Sequence, residues 1–469
     1  MSYCLCSLLW IVASFIIGLI IAIRKYLHSK REEFKQSRPE FNNDRQKVIG
    51  IFHPFCNAGG GGERVLWAAI KSLNDRFPYH SYVIYSDNYE CNSTQILLKA
   101  KQTFQVETNF NIHFVQLKTC RLLSPKMYPF MTILFQNIGT MLVGLEAVFR
   151  CPPDIMLDTM GCSFIFPIFK LFSSSKVCAY VHYPTISVDM LNMVASNQSN
   201  YNNRQFIAKN PFLSNLKLLY YKTFAFIYRM TGKCTDVVMV NSTWTNNHIR
   251  QVWNLDVTTV YPPCNTSHLK KLDLSKRDRN LIISMAQFRP EKNHRLQIEA
   301  LAKLIKILNE NGDTVTIPKL IVIGSCRNED DSQLVEELKQ LSHQLNVEKY
   351  ITFKVNLPYV QMEKHLGEAS IAIHTMVNEH FGISVVEFLS AGLLTLAHNS
   401  GGPKLDIIKE NNTGYFASNV DEFANTLYKL IKLSESEALK IRTQARQSIE
   451  KFSEQTFERS FSDIMEHLL

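Results

Sequence analysis

Short apolar runs alternate with helical patterns along nearly the whole chain, and this alternation limits the possible folds more than any other feature. The runs lack the apolar–polar alternation of half-exposed strands, which is typical of strands buried on both faces of a parallel sheet. The predicted strands are residues 48–52, 82–85, 112–117, 154–157, 177–181, 237–240, 281–285, 320–323, 351–353, 371–374 and 394–397. Helical patterns between them predict an α/β fold with doubly wound parallel sheets. Examples are residues 63–73, 294–308 and 334–345.

Length and charge divide this fold into two halves. At about 150 residues per domain, a chain of 469 residues has room for two such sheets. The charged stretch at 270–279 separates the two groups of predicted strands and is predicted as the interdomain linker. We therefore predict an N-terminal domain at 47–270, a C-terminal domain at 280–450, and a final helix at 451–469 that can cross back to the first domain.

The N-terminus predicts a membrane anchor. Residues 5–23 carry no charge, and as a helix they would span roughly 28 Å, about one hydrocarbon core. A cleaved signal peptide should have its basic segment before the apolar core, whereas here the basic residues follow it, from Arg24 to Arg38. We predict the anchor at 1–23 and a basic juxtamembrane linker at 24–46. The positive-inside rule then predicts the rest of the chain in the cytosol.

Composition excludes several classes of protein. Apolar residues at 46% and charged residues at 20% exclude a disordered chain, a collagen-like fibre and a polytopic membrane protein. The net charge of +9 is spread along the chain, which suits phosphate, nucleotide or an anionic bilayer better than nucleic acid. The eleven cysteines include no C-x-x-C pair, so neither a zinc site nor a disulfide framework is expected. No D-x-D occurs, and we therefore predict no metal or other cofactor.

Two segments of the first half are unusually apolar, residues 127–149 and 212–230. They have two interpretations: buried helices of a large core, or a surface that dips into a bilayer next to a lipid-linked substrate.

The first half contains two candidate binding motifs. Gly60, Gly61 and Gly62 follow the first predicted strand and precede a helix, where backbone N–H groups can bind an anion. No Lys-Ser/Thr pair follows, which argues against a P-loop nucleotidase, and the alternative is a tight turn. His182 lies at the carboxyl end of a predicted strand, where open α/β sheets bind ligands. The alternative is a structural histidine.

The second half contains the stronger motifs. Arg289 and Lys292 follow its first strand, where two cations suit a diphosphate; the alternative is a solvated basic loop. Glu379 and Glu387 are separated by seven residues, and Glu387 falls on a helix that begins near Phe381, Gly382 and Ile383. Backbone N–H groups at this helix start can bind phosphate, while the carboxylates can bind hydroxyl groups. The alternative is two ordinary carboxylates on a helix surface.

Together these motifs resemble the retaining glycosyltransferases of family 4, which have a GT-B fold and an E-x7-E motif. The resemblance covers residue 48 to the C-terminus and implies two Rossmann-like domains facing a cleft. The stretches HPFCNAGGGGERVLW, YVHYPTISVDM, AQFRPEKNH and NEHFGISVVEFLSAG resemble the eukaryotic α-1,2-mannosyltransferases of asparagine-linked glycosylation. This implies transfer of mannose from GDP-mannose to dolichol-diphosphate-linked Man3GlcNAc2 and then Man4GlcNAc2. It also implies a single-pass protein on the cytosolic face of the endoplasmic reticulum membrane, with other mannosyltransferases of the pathway as further partners.

The resemblance also implies roles for individual residues. Glu387 corresponds to the ribose-binding glutamate, Glu379 to the glutamate close to the transferred sugar, and Lys292 to the phosphate-binding lysine. Arg289 does not match cleanly, because the family's arginine falls at Gln287 in this sequence.

In the first half, His182 resembles a histidine near the donor sugar. Gly60 to Gly62 resemble the loop beside the diphosphate. The implied catalytic residues are therefore Glu379, His182 and Lys292, and the donor site adds the glycine loop, Arg289, Phe381, Gly382, Ile383 and Glu387.

Two other functions remain open from the residues themselves. One is another lipid-directed enzyme of the same family, such as a phosphatidylinositol glycosyltransferase. The other is a non-catalytic subunit of a glycosylation complex.

Overall fold

The computed structural model describes residues 2–37, 46–87, 92–104, 112–186, 190, 211–313 and 316–469. The chain divides into two compact units. Unit 1 comprises Met1–Asn241, Thr245–Val260 and Glu458–Leu469, and unit 2 comprises Ser242–Trp244 and Tyr261–Phe457.

Unit 1 is built on a seven-stranded parallel sheet with the order β3-β2-β1-β4-β5-β6-β7. Its strands are β1 (Val48–Phe52), β2 (Ser81–Ser86), β3 (Ile112–Gln116), β4 (Ile155–Asp158), β5 (Lys176–Val181), β6 (Val237–Val240) and β7 (Thr258–Thr259). Every residue of β1, β2 and β4 is buried. Burial on both faces explains why these runs show no apolar–polar alternation.

Unit 2 is built on a six-stranded parallel sheet with the order β10-β9-β8-β11-β12-β13. Its strands are β8 (Asp278–Met285), β9 (Lys319–Gly324), β10 (Ile351–Val355), β11 (Ala369–His374), β12 (Leu394–His398) and β13 (Tyr415–Ala417). The central strands β11 and β12 are buried throughout.

Helices connect the strands in both units. The longer ones are α1 (Ser2–Gln36), α2 (Gly61–Arg76), α3 (Ser93–Phe104), α4 (Thr132–Arg150), α5 (Pro211–Gly232), α6 (Thr243–Trp253), α7 (His294–Glu310), α8 (Glu329–Gln344), α9 (Tyr359–Glu368), α10 (Ile383–Ala391), α11 (Val420–Ile431), α12 (Glu435–Ser448) and α13 (Glu454–Glu466). Parallel neighbours joined through helices give two doubly wound sheets, so the predicted fold class is confirmed.

Every predicted strand is present, and two further strands were not predicted. These are β7 and β13, which have only two and three residues. Such short segments carry too few apolar residues for a pattern to be recognised, and they become strands by pairing with an existing sheet edge.

The boundary between the units differs from the predicted linker. Unit 2 resumes at Tyr261, and β8 already begins at Asp278, inside the predicted linker at 270–279. The Arg277 guanidinium donates to the backbone carbonyls of Leu366, Ala369 and Ala391. This charged stretch is therefore part of unit 2, where its arginine donates to carbonyls at the ends of three other elements.

The C-terminal segment belongs to both units. Residues up to Phe457 lie in unit 2, and Glu458–Leu469 lie in unit 1. Lys71 Nζ of helix α2 lies 2.6 Å from Glu458 Oε1, and Arg76 pairs with Asp463 and Glu466.

Helix α1 extends well beyond the predicted anchor. It runs to Gln36, so most of the described part of the predicted 24–46 linker is helical, and residues 38–45 lie outside the described residues. Two helices among the described residues are long and apolar enough to cross a membrane, Trp10–Gln36, whose most apolar stretch is almost wholly exposed, and Thr132–Arg150.

The apolar segments at 127–149 and 212–230 contribute helices α4 and α5. Helix α4 has both a side buried in the core and an exposed apolar side. Val143, Ala147 and Val148 of α4 are buried in the core of unit 1. Phe135, Ile138 and Leu142 of the same helix are exposed. One side of α4 therefore belongs to the core, and the other side leaves apolar surface uncovered within unit 1.

Candidate active site

The motifs of unit 2 converge at the carboxyl edge of its sheet. Strands β8, β11 and β12 are neighbours and parallel, so the loops that follow them meet at one edge. The β8 loop carries Arg289 and Lys292, and the β11 loop carries Glu379. Thr375 connects these two loops, because its hydroxyl lies 3.0 Å from the carbonyl oxygens of both Lys292 and Asn293.

A close backbone contact fixes Glu379. The Gly402 N–H donates to the Glu379 carbonyl oxygen at 2.7 Å. Gly401 has a φ of +65°, and a Cβ atom there would lie 2.3 Å from the same carbonyl oxygen. Only glycine fits this position, which explains the Gly-Gly pair in the β12 loop. The Asn378 N–H is also held, by the Ser400 hydroxyl at 2.8 Å.

The Glu379 carboxylate is 8% exposed as a residue and is surrounded by hydrogen-bond donors and positive charge. Its Oε2 lies 2.5 Å from Lys292 Nζ and 3.2 Å from His374 Nε2, and its Oε1 accepts from the His380 N–H at 3.2 Å. Burial alone would raise the pKa of Glu379, but Lys292 and His374 outweigh it and hold this pKa well below its ordinary value. Glu379 is therefore a fixed negative charge in the folded protein.

The structure brings Lys292 to Glu379 but does not bring Arg289 there. Lys292 closes the turn Pro290–Lys292, and its Nζ also lies 3.1 Å from Met376 Sδ. The Arg289 side chain is 37% exposed, and its Nη1 lies 3.8 Å from Glu291 Oε1. Of the two predicted diphosphate ligands, only Lys292 lies in contact with the predicted sugar-site glutamate.

Glu387 lies one turn into helix α10 and is 8% exposed. Gly382 precedes the helix with a φ of +105°, a left-handed conformation that favours glycine, and the helix begins at Ile383. The N-terminus of α10 is therefore formed by the residues that the sequence predicted. Phe381 differs from this prediction in one respect, because its side chain is buried against Tyr261 and Phe452. Only its backbone can face a ligand.

Sequence reasoning missed His374. It is the last residue of β11 and 3% exposed, and it contacts the Glu379 carboxylate directly. The only signal in the sequence is a histidine at the carboxyl end of a predicted strand, which is the argument that singled out His182.

The glycine motif of unit 1 forms the start of helix α2. Gly60 is the N-cap residue in an extended conformation, and Gly61 and Gly62 form the first turn. Glu63 stabilises this start, because its Oε2 accepts from the Gly60 N–H at 2.7 Å. Its Oε1 lies 3.5 Å from His53 Nε2. Burial would raise the pKa of Glu63, but these contacts outweigh it and lower the pKa.

His182 and the glycine motif lie together in unit 1. His182 directly follows β5, and a Cβ atom on Gly62 would lie 3.8 Å from its Nε2. Sequence reasoning missed His53 and Thr159 beside them, whose Nδ1 and Oγ1 atoms lie 2.7 Å apart. The predicted glycine loop and the predicted histidine therefore form one polar cluster at the carboxyl edge of the first sheet.

No group of three or more metal-binding side chains occurs among the residues that the structure describes. The site of unit 2 instead offers a cation, two buried carboxylates and a helix N-terminus. This combination suits a phosphate-containing sugar donor, in which the cation and the helix start bind phosphate and the carboxylates bind hydroxyl groups.

Family models match both parts of the chain. The model described as ALG11 mannosyltransferase N-terminus matches residues 46–253. The model described as glycosyl transferases group 1 matches residues 268–448.

Relatives match the chain over nearly its whole length. A human GDP-Man:Man(3)GlcNAc(2)-PP-Dol alpha-1,2-mannosyltransferase is 43% identical and covers 100% of this chain and 98% of its own length. Proteins of the same name from Xenopus laevis and Dictyostelium discoideum are each 42% identical, over 98% and 90% of this chain and 97% and 85% of their own lengths.

Solved structures show the same fold at low sequence identity. Anabaena HepE, crystallised with UDP and glucose, is 14% identical with a TM-score of 0.61 and covers 90% of this chain and 100% of its own. Sucrose-phosphate synthase from Thermosynechococcus elongatus is 12% identical with a TM-score of 0.64 and covers 90% and 99%. These likenesses concern the fold alone.

The relatives and the family models together show that the chain belongs to the GDP-Man:Man(3)GlcNAc(2)-PP-Dol alpha-1,2-mannosyltransferase family and is a glycosyltransferase.

Proposed function

We propose that the chain transfers α-1,2-linked mannose from GDP-mannose to dolichol-diphosphate-linked Man3GlcNAc2 and then to the Man4GlcNAc2 product. Membership of the family supports the reaction, and one observation supports a working active site. The carboxylate of Glu379 is buried and held by Lys292, on the loop that leads into α10 and Glu387. A non-catalytic subunit would have no need to keep a charged pair in this buried position.

Each candidate site residue of unit 2 has a role in this proposal. Lys292 binds the diphosphate of GDP-mannose together with the N–H groups at the start of α10, around Gly382 and Ile383. Glu387 binds the ribose hydroxyls, and Glu379 lies near the mannose. Arg289 reaches the diphosphate only after its exposed side chain turns away from Glu291.

Unit 1 contributes the polar cluster that contains Gly60 to Gly62 and His182. We assign the glycine backbone to the neighbourhood of the diphosphate and His182 to the transferred sugar. The helix start and the imidazole next to it, 3.8 Å from a Cβ on Gly62, support this assignment.

The chemistry is front-face transfer with retention. The bond between the anomeric carbon and the phosphate oxygen breaks, and the acceptor hydroxyl oxygen bonds to the anomeric carbon on the same face. The acceptor proton passes to the departing phosphate, so GDP and the extended lipid-linked sugar are the products. Catalysis then rests on orientation and on the charge of Lys292 and the helix N-terminus, without a strong base.

We propose that the protein is anchored in the endoplasmic reticulum membrane by a single pass of α1, with its body in the cytosol. The exposed apolar side chains of α1, among them Trp10, Phe15 and Ile17, support the anchor. Exposed Phe130 and Phe135 near the start of α4, and Leu219 and Phe226 of α5, support further contact with lipid. The Leu134 N–H lies 3.2 Å from the Tyr220 hydroxyl, so α4 and α5 are neighbours on unit 1. Other mannosyltransferases of the pathway are proposed as further partners.

The topology has a direct test in sealed microsomes. A cytosolic body is accessible to added protease without detergent and carries no N-glycan. The chain contains five N-x-[ST] sequons, at Asn92, Asn197, Asn241, Asn265 and Asn411. Protection from protease, or a mobility shift on endoglycosidase treatment, would contradict the proposed orientation.

The main experiment tests the reaction with the full-length chain in detergent. Purified protein receives synthetic lipid-diphosphate-linked Man3GlcNAc2 and either GDP-mannose or a UDP-sugar. We expect two successive additions from GDP-mannose alone, and α-1,2-mannosidase should remove them. Transfer to phosphatidylinositol would favour the other lipid-directed enzyme, and no transfer by folded protein would favour a non-catalytic subunit.

We also propose that the reaction needs no metal. Transfer should continue at an unchanged rate in excess EDTA, because Lys292 and the helix N-terminus provide the positive charge beside the diphosphate. Loss of activity that added Mg²⁺ or Mn²⁺ restores would contradict this proposal.

A further inference from the structure

One oxygen of the buried Glu379 carboxylate faces two nitrogen atoms. Lys292 Nζ lies 2.5 Å from Oε2, and His374 Nε2 lies 3.2 Å from it. This contact is at ion-pair distance, but His374 Nε2 makes no hydrogen bond among the residues that the structure describes. A bare imidazole nitrogen would repel a carboxylate at this distance, so we take Nε2 as the protonated nitrogen, and its N–H can donate to Glu379 once the carboxylate is released from Lys292. The other oxygen, Oε1, accepts only the His380 backbone N–H among the bonds described, at 3.2 Å.

Donor binding changes this arrangement. If Lys292 binds the donor diphosphate, its ammonium must divide its three protons between phosphate and Glu379 or leave Glu379 altogether. Glu379 would then keep its charge inside the protein with less compensation, and an uncompensated buried charge is costly. A second donor that stays in place removes this difficulty, and His374 is fixed as the last residue of the buried strand β11.

We propose that His374 is a positioning residue that holds the Glu379 carboxylate in place while Lys292 turns to the donor diphosphate. This inference rests on the proposed function, because it assumes that Lys292 binds phosphate. His374 itself touches neither donor nor acceptor in this account. It acts through Glu379, whose charge stabilises the positive charge that develops at the anomeric carbon of the mannose.

Two further histidines, His294 and His398, lie near His374, but no contact of either with the Glu379 carboxylate is described. His294, at the start of α7, is buried, and burial together with His374 and Lys292 lowers its pKa to about 4. His398, at the end of β12, has its pKa lowered by burial and by His374, and its Nδ1 lies 2.8 Å from the Ser400 hydroxyl. Both stay neutral near pH 7. His374 is thus the histidine in contact with Glu379, and Lys292 is the cation in contact with it.

The test compares full-length His374→Phe and His374→Gln with the wild type. Phenylalanine keeps the shape of the ring and removes the donor, whereas the glutamine amide restores an N–H donor. For His374→Phe we expect kcat to fall roughly 10- to 100-fold, the cost of one hydrogen bond to a charged group. Its KM for GDP-mannose should rise by a smaller factor than kcat falls, because the lost contact acts on the charge beside the anomeric carbon. His374→Gln should recover most of kcat.

A matched control separates positioning from packing. His80 of unit 1 is also 3% exposed and has a pKa lowered to about 4 by burial and Lys47. His80→Phe should leave both kcat and KM unchanged. Equal losses of kcat in His374→Phe and His374→Gln, or wild-type kinetics in both, would overturn the inference.

A binding measurement distinguishes failure of this inference from failure of the proposed function. Calorimetry with GDP alone requires no transfer, and His374→Phe should weaken GDP binding because Lys292 then leaves Glu379 less readily. Wild-type protein that transfers no mannose would contradict the proposed function alone. Unchanged GDP affinity in His374→Phe, together with unchanged transfer kinetics, would contradict the role of His374 alone.

Discussion

Glu379 and Glu387 belong to one short segment but occupy different environments. Glu379 lies in a loop, with its carboxylate oxygens committed to Lys292, His374 and a backbone N–H. Glu387 lies inside α10, equally buried as a residue. The first arrangement holds a charge in position for a reaction, and the second suits a binding contact that is the same before and during the reaction.

The two glutamates should therefore fail in different ways. Glu387→Ala should mainly raise the KM for GDP-mannose, by an amount equivalent to about 1.5–3 kcal/mol for a hydrogen bond to a charged group. Glu379→Ala should lower kcat more than it raises KM. Steady-state kinetics of both variants checks this, with Glu310→Ala on the exposed surface of α7 as a control. Dispensability of both carboxylates would remove the main chemical support for this site.

His294 makes the stability of the folded chain depend on pH. An unperturbed histidine, as in the unfolded chain, has a pKa of 6.5. In the folded protein the pKa of His294 is lowered to about 4, because burial, His374 and Lys292 disfavour its charged form. Between these values the unfolded chain binds more protons, so the stability from neutral His294 is complete above pH 6.5 and is lost as pH falls toward 4. In His294→Phe, the unfolding free energy should fall less steeply over this window, by up to about 1.4 kcal/mol per pH unit. Urea unfolding at several pH values measures it, and parallel slopes would contradict the assignment.

At the scale of elements, helix α1 has two different halves. Its first half is apolar, and the described side chains there, such as Trp10, Phe15 and Ile17, are exposed. Its second half contacts unit 1, where Leu27 is fully buried and the Lys30 ammonium donates to the Phe149 carbonyl at 2.6 Å. Arg31 donates to the carbonyls of Pro152 and Ser173 and pairs with Asp154 at 2.9 Å. The basic residues that predicted membrane orientation thus also satisfy carbonyls of unit 1.

Removal of Arg31 should therefore destabilise unit 1. Arg31→Met leaves two carbonyls and the Asp154 carboxylate without this partner, which should cost about 2–4 kcal/mol and lower Tm by several degrees. Lys25→Met, on the exposed side of the same helix, is the matched control and should leave Tm unchanged. Equal Tm values for the two variants would show that α1 is only a tether.

Some of these elements could be predicted from the sequence, and some of their contacts could not. The buried strands were predictable because runs such as Val48–Phe52 are apolar at every position. The E-x7-E loop was predictable because Gly382 and Gly392 bound a short helix. The contact of Arg31 was not predictable, because its partner Asp154 lies more than a hundred residues away in the sequence. The contact of His374 was not predictable, because it depends on the exact residue at which β11 ends. Charge alone could not distinguish a solvated flank from a docked one.

At the scale of the whole molecule, each sheet carries its polar residues at its carboxyl edge. In unit 1 these are His53, Thr159 and His182, beside the start of α2. In unit 2 they are Lys292, His374 and Glu379, beside the start of α10. The same topology thus produces the same kind of polar edge twice, and the different side chains give each unit its own role.

The division of α1 leads to a prediction for the whole molecule. A chain without Met1–Lys25 loses the apolar first half of α1 and keeps Leu27, Arg31 and the other residues docked on unit 1. It should fold with nearly the wild-type Tm and keep measurable transfer in detergent, because all the site residues lie beyond Val48. A chain without Met1–Ser37 also loses the docked half, leaves Asp154 without its two cations, and should have a clearly lower Tm. Thermal unfolding and transfer assays of both chains check this, since detergent supplies the acceptor without a bilayer. Complete inactivity of a folded, monodisperse protein lacking only Met1–Lys25 would show that the apolar half of α1 takes part in the reaction itself.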